Sequence, residues 1–247
     1  MDRSGRSEER PGDLVVSDSS RYARLSPLLK AGAWSAMLFV VMVFIPLFII
    51  FTAPVVPAGD GRAILEYIIA HPISYIVQLV CFVGLSLPTL LVFTSLGSVL
   101  FPHAPSQALI GGLIGIASEI VALAVLSSPQ SLHAGLVVLA ADYAQADVFL
   151  RSSLEAAALA LAASANTVTP AGIMTALAIL ILSLAMQRSA FPRSLAVFGI
   201  VAGILGIISE AFRPLIGPAY IIYGLCLPFW FFFVGLWLFK LAKKEAA

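Results

Sequence analysis

The chain has 247 residues, of which 60% are hydrophobic and only 11% are charged. Soluble domains carry about a quarter charged residues, so this composition excludes an ordinary water-soluble fold and points to a bilayer. The net charge of +1 excludes an extended basic surface for nucleic acid.

Residues 1–30 are polar, with Gly5, Pro11, Gly12 and the cluster Ser17-Asp18-Ser19-Ser20, and read as a disordered cytoplasmic tail. They are not a signal peptide, because the apolar run behind them is about twenty residues, against roughly 7–15 for a signal h-region. The membrane domain is expected over 31–241. A crossing helix needs about 20 apolar residues, with a range of roughly 17–25. Six segments qualify, at about 33–52, 73–96, 107–126, 170–186, 194–212 and 219–239. Pro46, Pro88 and Pro228 fall inside the first, second and sixth, where they predict kinks.

The turn Pro57-Ala58-Gly59-Asp60-Gly61 leads into a short surface helix, with Asp60 as N-cap and Ile64, Leu65, Ile68 and Ile69 on one face. His71-Pro72 ends it. Residues 129–168 begin with an apolar run too short to cross, which Asp142, Asp147, Arg151 and Glu155 then interrupt. From Leu150 the series Leu150, Leu154, Ala158, Leu161 lies on one helical face. This stretch reads as an outer-face insert of two amphipathic helices; an extra span is the alternative. Thr169-Pro170 then marks the start of the fourth span.

Charge orients the bundle. With six spans and the N-terminus inside, the cytoplasmic side holds Arg3, Arg6, Arg10, Arg21, Arg24, Lys30, Arg188, Arg193, Lys240, Lys243 and Lys244, eleven of the fourteen Lys and Arg residues. Arg62, Arg151 and Arg213 fall outside. That bias predicts an all-α, six-helix transmembrane bundle with both ends cytoplasmic, a multi-pass protein of the plasma membrane. Tyr220, Tyr223 and Trp237 in the last span include candidate interface anchors, whereas Trp230 is too central for that role.

Two segments echo each other. Gly112-Leu113-Ile114-Gly115-Ile116-Ala117-Ser118-Glu119 and Gly203-Ile204-Leu205-Gly206-Ile207-Ile208-Ser209-Glu210 agree at five of eight positions, and each follows a Phe-Pro turn. A duplicated two-helix hairpin accounts for this; coincidence among common membrane residues is the alternative. At 100° per residue, Ala108, Gly112, Gly115 and Glu119 share one stripe, and Gly199, Gly203, Gly206 and Glu210 share another. Small residues on a stripe permit close helix packing, so both glutamates are expected to face protein. Glu119 lies about seven residues from the outer end of its span, or roughly 10 Å deep at ~1.5 Å per residue. Gln78 falls at a similar depth, and Glu210 and Arg213 are spaced to pair. The four form a candidate polar cluster in the outer half of the bundle. It serves either as a substrate or proton site or as interhelical hydrogen bonding that fixes packing.

Cys81 and Cys226 both sit in apolar runs and read as small buried hydrophobes, with a disulfide or a metal pair as alternatives. The stretch from Gly59-Asp60 through Ile64 to Ala70 resembles the bacterial membrane family catalogued as domain-of-unknown-function family 4386. So does Gln187-Arg188-Ser189-Ala190-Phe191-Pro192-Arg193-Ser194-Leu195 with the Gly-rich helix behind it. The resemblance covers about Leu29 to Lys240. It implies a bacterial six-helix membrane protein without an established activity, and carries over no catalytic residue.

Enzyme motifs are missing from the sequence. His71, His103 and His133 fall in turns or surface segments, which removes intramembrane serine proteolysis at Gly84-Leu85-Ser86 and haem ligation. There is no His-Glu-x-x-His and no phosphate loop, and Glu210-Ala211-Phe212-Arg213 lacks the second Glu of a glutamate-type protease. No enzyme, metal or cofactor is expected. Two classes remain: a structural or regulatory membrane protein with a protein partner or a second copy, and a small-solute or proton-coupled transporter.

Overall fold

The computed structural model describes residues 18–57, 59–125, 133–165 and 170–243. The helices are α1 (Asp18–Thr52), α2 (Gly61–Ala70), α3 (Pro72–Gly84), α4 (Ser86–Leu100), α5 (Pro105–Val125), α6 (Ala134–Gln145), α7 (Val148–Ala165), α8 (Pro170–Met186), α9 (Arg193–Ala211), α10 (Arg213–Ile216) and α11 (Tyr220–Lys243). The first helix starts at Asp18, inside the stretch read as tail. Leu25, Leu28 and Leu29 recur at helical spacing there, and Leu29 is fully buried in the bundle core, so residues 18–30 extend the helix. The tail reading for residues 1–17 lies outside the described residues.

Close contacts at small residues fix the helix directions. Gly97 of α4 meets Ala108 and Gly112 of α5, while Phe93 meets Gly115. Gly111 of α5 meets Leu182 of α8, while Glu119 meets Thr175. Gly199 and Gly206 of α9 meet Ser183 and Ala176 of α8 on one side and Trp230 and Tyr223 of α11 on the other. Gly32 of α1 meets Leu238, while Phe39 stacks on Phe231 with ring centroids 4.0 Å apart. In every pair one number rises as the other falls, so each neighbour is antiparallel. The helices close into a ring in the order α1, α4, α5, α8, α9, α11. Phe39, Phe93, Trp230 and Phe231 fill its middle.

Among the described residues, five helices are long and apolar enough to cross a membrane: Leu25–Thr52, Pro72–Leu100, Pro105–Ala124, Arg193–Ala211 and Tyr220–Lys243. The remaining ring member, α8, has 17 residues, about 26 Å at ~1.5 Å per residue against a ~30 Å hydrocarbon core. The second span is bent. Pro88 has no N–H to give the Gly84 carbonyl, and the helix breaks at Leu85 while keeping right-handed dihedrals (φ −55°, ψ −32°). Below the bend, α4 packs on α1 and α5. Above it, α3 packs on α1, α2 and α6.

A second apolar core lies there, built by α2, α6 and α7 against Tyr75 of α3. Asp60 caps α2 by accepting from the N–H groups of Arg62 (3.0 Å) and Ala63 (3.4 Å). Ile64, Leu65 and Ile68 are buried as the periodicity predicts, but Ile69 is exposed and Tyr67 takes its place inside. Gly61 rests on the Glu155 carbonyl of α7, where a Cβ would lie 1.9 Å from that oxygen. The insert forms two helices. With 12 residues, α6 spans only ~18 Å. Leu154, Ala158 and Leu161 of α7 are used up in the cap core, while Leu150 stays half exposed.

Candidate functional site

Each glutamate of the echoed segments is buried at the C-terminal end of its small-residue stripe. Glu119 is 6% exposed. Its Oε1 lies 3.1 Å from Thr175 Oγ1 of α8 and 3.3 Å from Ser118 Oγ of its own helix. Ser86, the first residue after the bend in the second span, lies near the same carboxylate. One carboxylate therefore joins hydroxyls from α5 and α8.

Glu210 takes different partners. Arg213 Nη2 donates to Glu210 Oε2, and Tyr220 Oη donates to Oε1 at 2.7 Å. The same Nη2 donates to Tyr220 Oη at 2.9 Å, with the guanidinium carbon 4.7 Å from the ring centre. Arg213 is 7% exposed, and its Nε and Nη1 have no hydrogen-bond partner. The carboxylate lies flat on Gly172 in the first turn of α8, where a Cβ would come 2.4 Å from its carboxyl carbon. Glycine there leaves room for the acid at the positive end of the helix dipole. This trio fastens α9 to α11 across the reversal at Gly217, whose φ of +49° suits glycine.

The four sequence candidates are thus distributed over three places. Glu210 and Arg213 pair directly. Glu119 stands one helical turn along α8 from them, with Thr175 on its side and Gly172 on theirs. Gln78 is buried, but its amide donates to the Ser74 carbonyl of its own helix at 3.3 Å. Ser86, Ser118, Thr175 and Tyr220 complete the polar groups and were not among the predicted site residues. Ser118 carried one signal, the echo with Ser209; a lone hydroxyl in an apolar helix carries none.

The six predicted packing residues are all buried, and they pack unequally. Ala108 and Gly112 touch Gly97, and Gly115 faces the Phe93 ring. Gly203 lies against the backbone of α8, with Leu180 N 2.8 Å and Ala176 O 2.9 Å from where a Cβ would stand. Cys81 is buried, Cys226 is half-buried, and both are free thiols. Among the described residues no group of three His, Cys, Asp or Glu side chains is placed to hold a metal.

Fold and composition together define a helical, membrane-embedded bundle. Residues 31–241 match the family model described as "Domain of unknown function (DUF4386)", and the chain belongs to this family. No curated protein and no solved structure matches it significantly.

Proposed function

We propose that this is a non-enzymatic, six-span protein of the bacterial plasma membrane, both ends cytoplasmic, that acts as a structural or regulatory partner through its outer-face cap. The observation that carries the reading is the first turn of α7, where Val148 and Phe149 are 81% and 90% exposed. They project from a packed scaffold rather than a loose loop. Beside them a cleft of about 310 Å³ is lined by Arg62, Tyr143, Arg151 and Glu155. Tyr143 Oη donates to Glu155 at 2.7 Å, and the Arg151 guanidinium lies 5.2 Å from the Tyr143 ring centre, so the polar groups are already held in position. An exposed aromatic anchor next to preorganised Arg and Tyr is the composition that dominates protein interfaces.

A photo-crosslinking residue in place of Phe149 should give a discrete protein adduct in native membranes. The mass of the adduct separates a second copy from another membrane protein. Phe149→Asp should abolish that complex, and Glu119→Gln should leave it intact. Adducts to lipid alone would overturn the reading, since Phe149 would then be anchoring in the bilayer.

A second reading, a small-solute or proton-coupled transporter, is favoured by the Glu119 cluster beside a bent span. Uptake into vesicles that Glu119→Gln abolishes would support it. Equal uptake by both proteins would remove it.

A further inference from the structure

The oxygens around Glu119 suit a ligand that hydrogen bonds alone do not supply. Glu119 Oε1, Ser118 Oγ and Thr175 Oγ1 form a triangle with edges of 3.0, 3.1 and 3.3 Å. Each hydroxyl has one hydrogen, and each has an acceptor at least as close within its own helix. Ser118 Oγ lies 2.7 Å from the Gly115 carbonyl, and Thr175 Oγ1 lies 3.0 Å from the Ala171 carbonyl. When those hydrogens go to the carbonyls, lone pairs from three oxygens converge.

No Lys or Arg pairs with Glu119 among the described residues, whose ion pairs are Arg62–Glu66 and Arg213–Glu210. A charge this deep needs compensation. Oxygen triangles of this size form one face of a coordination shell with cation–oxygen distances of about 2.1–2.4 Å, the range of small hard cations. One carboxylate matches one positive charge; a divalent ion would leave excess charge in the bilayer interior. The bend in the second span lies beside this cluster. Ser86, in the first turn after the break, lies near the carboxylate.

We propose that Glu119, Ser118 and Thr175 bind a sodium-sized monovalent cation that ties α5 and α8 together beside the bend of the second span. The site is independent of the cap interface and requires no transport.

Purified protein in lipid nanodiscs, unfolded thermally at constant ionic strength, tests this. Replacing choline chloride by sodium chloride should raise the midpoint saturably, and potassium chloride should not. Thr175→Val keeps the shape but removes a ligand, and should weaken the apparent sodium affinity about tenfold or more. Glu119→Gln should abolish the sodium effect. Should Glu119→Gln fail to fold, Thr175→Val and Ser118→Ala still carry the test. A midpoint indifferent to sodium, or a sodium effect unchanged in Thr175→Val, overturns the proposal. So does a midpoint that follows pH alone, because the carboxylate would then hold only a proton.

Discussion

At the scale of single residues, the strongest commitment in the chain is Arg213. A guanidinium this buried is expensive, and Glu210 and Tyr220 together offset its desolvation through one nitrogen. Removing one partner of a buried ion pair leaves an uncompensated charge and costs about 3–5 kcal/mol. Removing a hydroxyl bonded to charged groups costs about 1–3 kcal/mol. Glu210→Ala is therefore expected to destabilise more than Tyr220→Phe, by denaturant unfolding in nanodiscs. If the two are equal, the pair contributes packing rather than charge compensation. The Glu210–Arg213 pairing was legible in the sequence because i,i+3 neighbours share a helix face. Tyr220 was not, because it returns through a left-handed glycine whose geometry the sequence only permits. Ser86 and Thr175 were illegible for another reason. Hydroxyls in apolar helices ordinarily satisfy their own backbone, as Thr175 also does with Ala171.

At the scale of elements, the two echoed helices share a pattern and differ in load. In α9, Gly203 lies on the α8 backbone, which cannot move aside as a side-chain tip can. In α5, the nearest atoms to a Cβ at Gly112 are Gly97 Cα at 3.6 Å and Phe93 O at 3.8 Å, ordinary contact distances. Gly203→Ala should therefore destabilise by about 1–3 kcal/mol through overpacking, while Gly112→Ala should fall within a few tenths of wild type. Unfolding free energies of the two variants check this, and equal effects would show that the stripes are equivalent after all. The stripes were visible from a 100° periodicity. Their inequality was not, because it depends on how closely the backbone of the facing helix approaches each glycine. The bend at Pro88 was likewise visible as a proline. Its consequence, handing the outer half of the second span from α5 to the cap, needs the three-dimensional neighbours.

At the scale of the whole molecule, topology follows from direction and charge taken together. The ring alternates between antiparallel neighbours, so the start of α1 and the end of α11 lie at one end. That end also carries both hairpin turns, at Phe101-Pro102 and Phe191-Pro192. Lys30, Arg188, Arg193, Lys240 and Lys243 gather there, all exposed. Every acidic residue between positions 25 and 243, namely Asp60, Glu66, Glu119, Asp142, Asp147, Glu155 and Glu210, belongs to the opposite half or its cap. A membrane sorts these ends by the basic residues, which resist translocation. With 17 residues, α8 stands at the lower limit for a crossing helix, a length that local bilayer thinning or snorkelling at its ends accommodates. It stands between α5 and α9, antiparallel to both. Reporter fusions decide the matter. A cytoplasm-active reporter should work after residue 243 and at residue 189, and a periplasm-active one at residue 59 and at residue 146. A periplasm-active signal at residue 189 would mean that α8 does not cross and that the span count is odd, leaving one basic end of the chain outside.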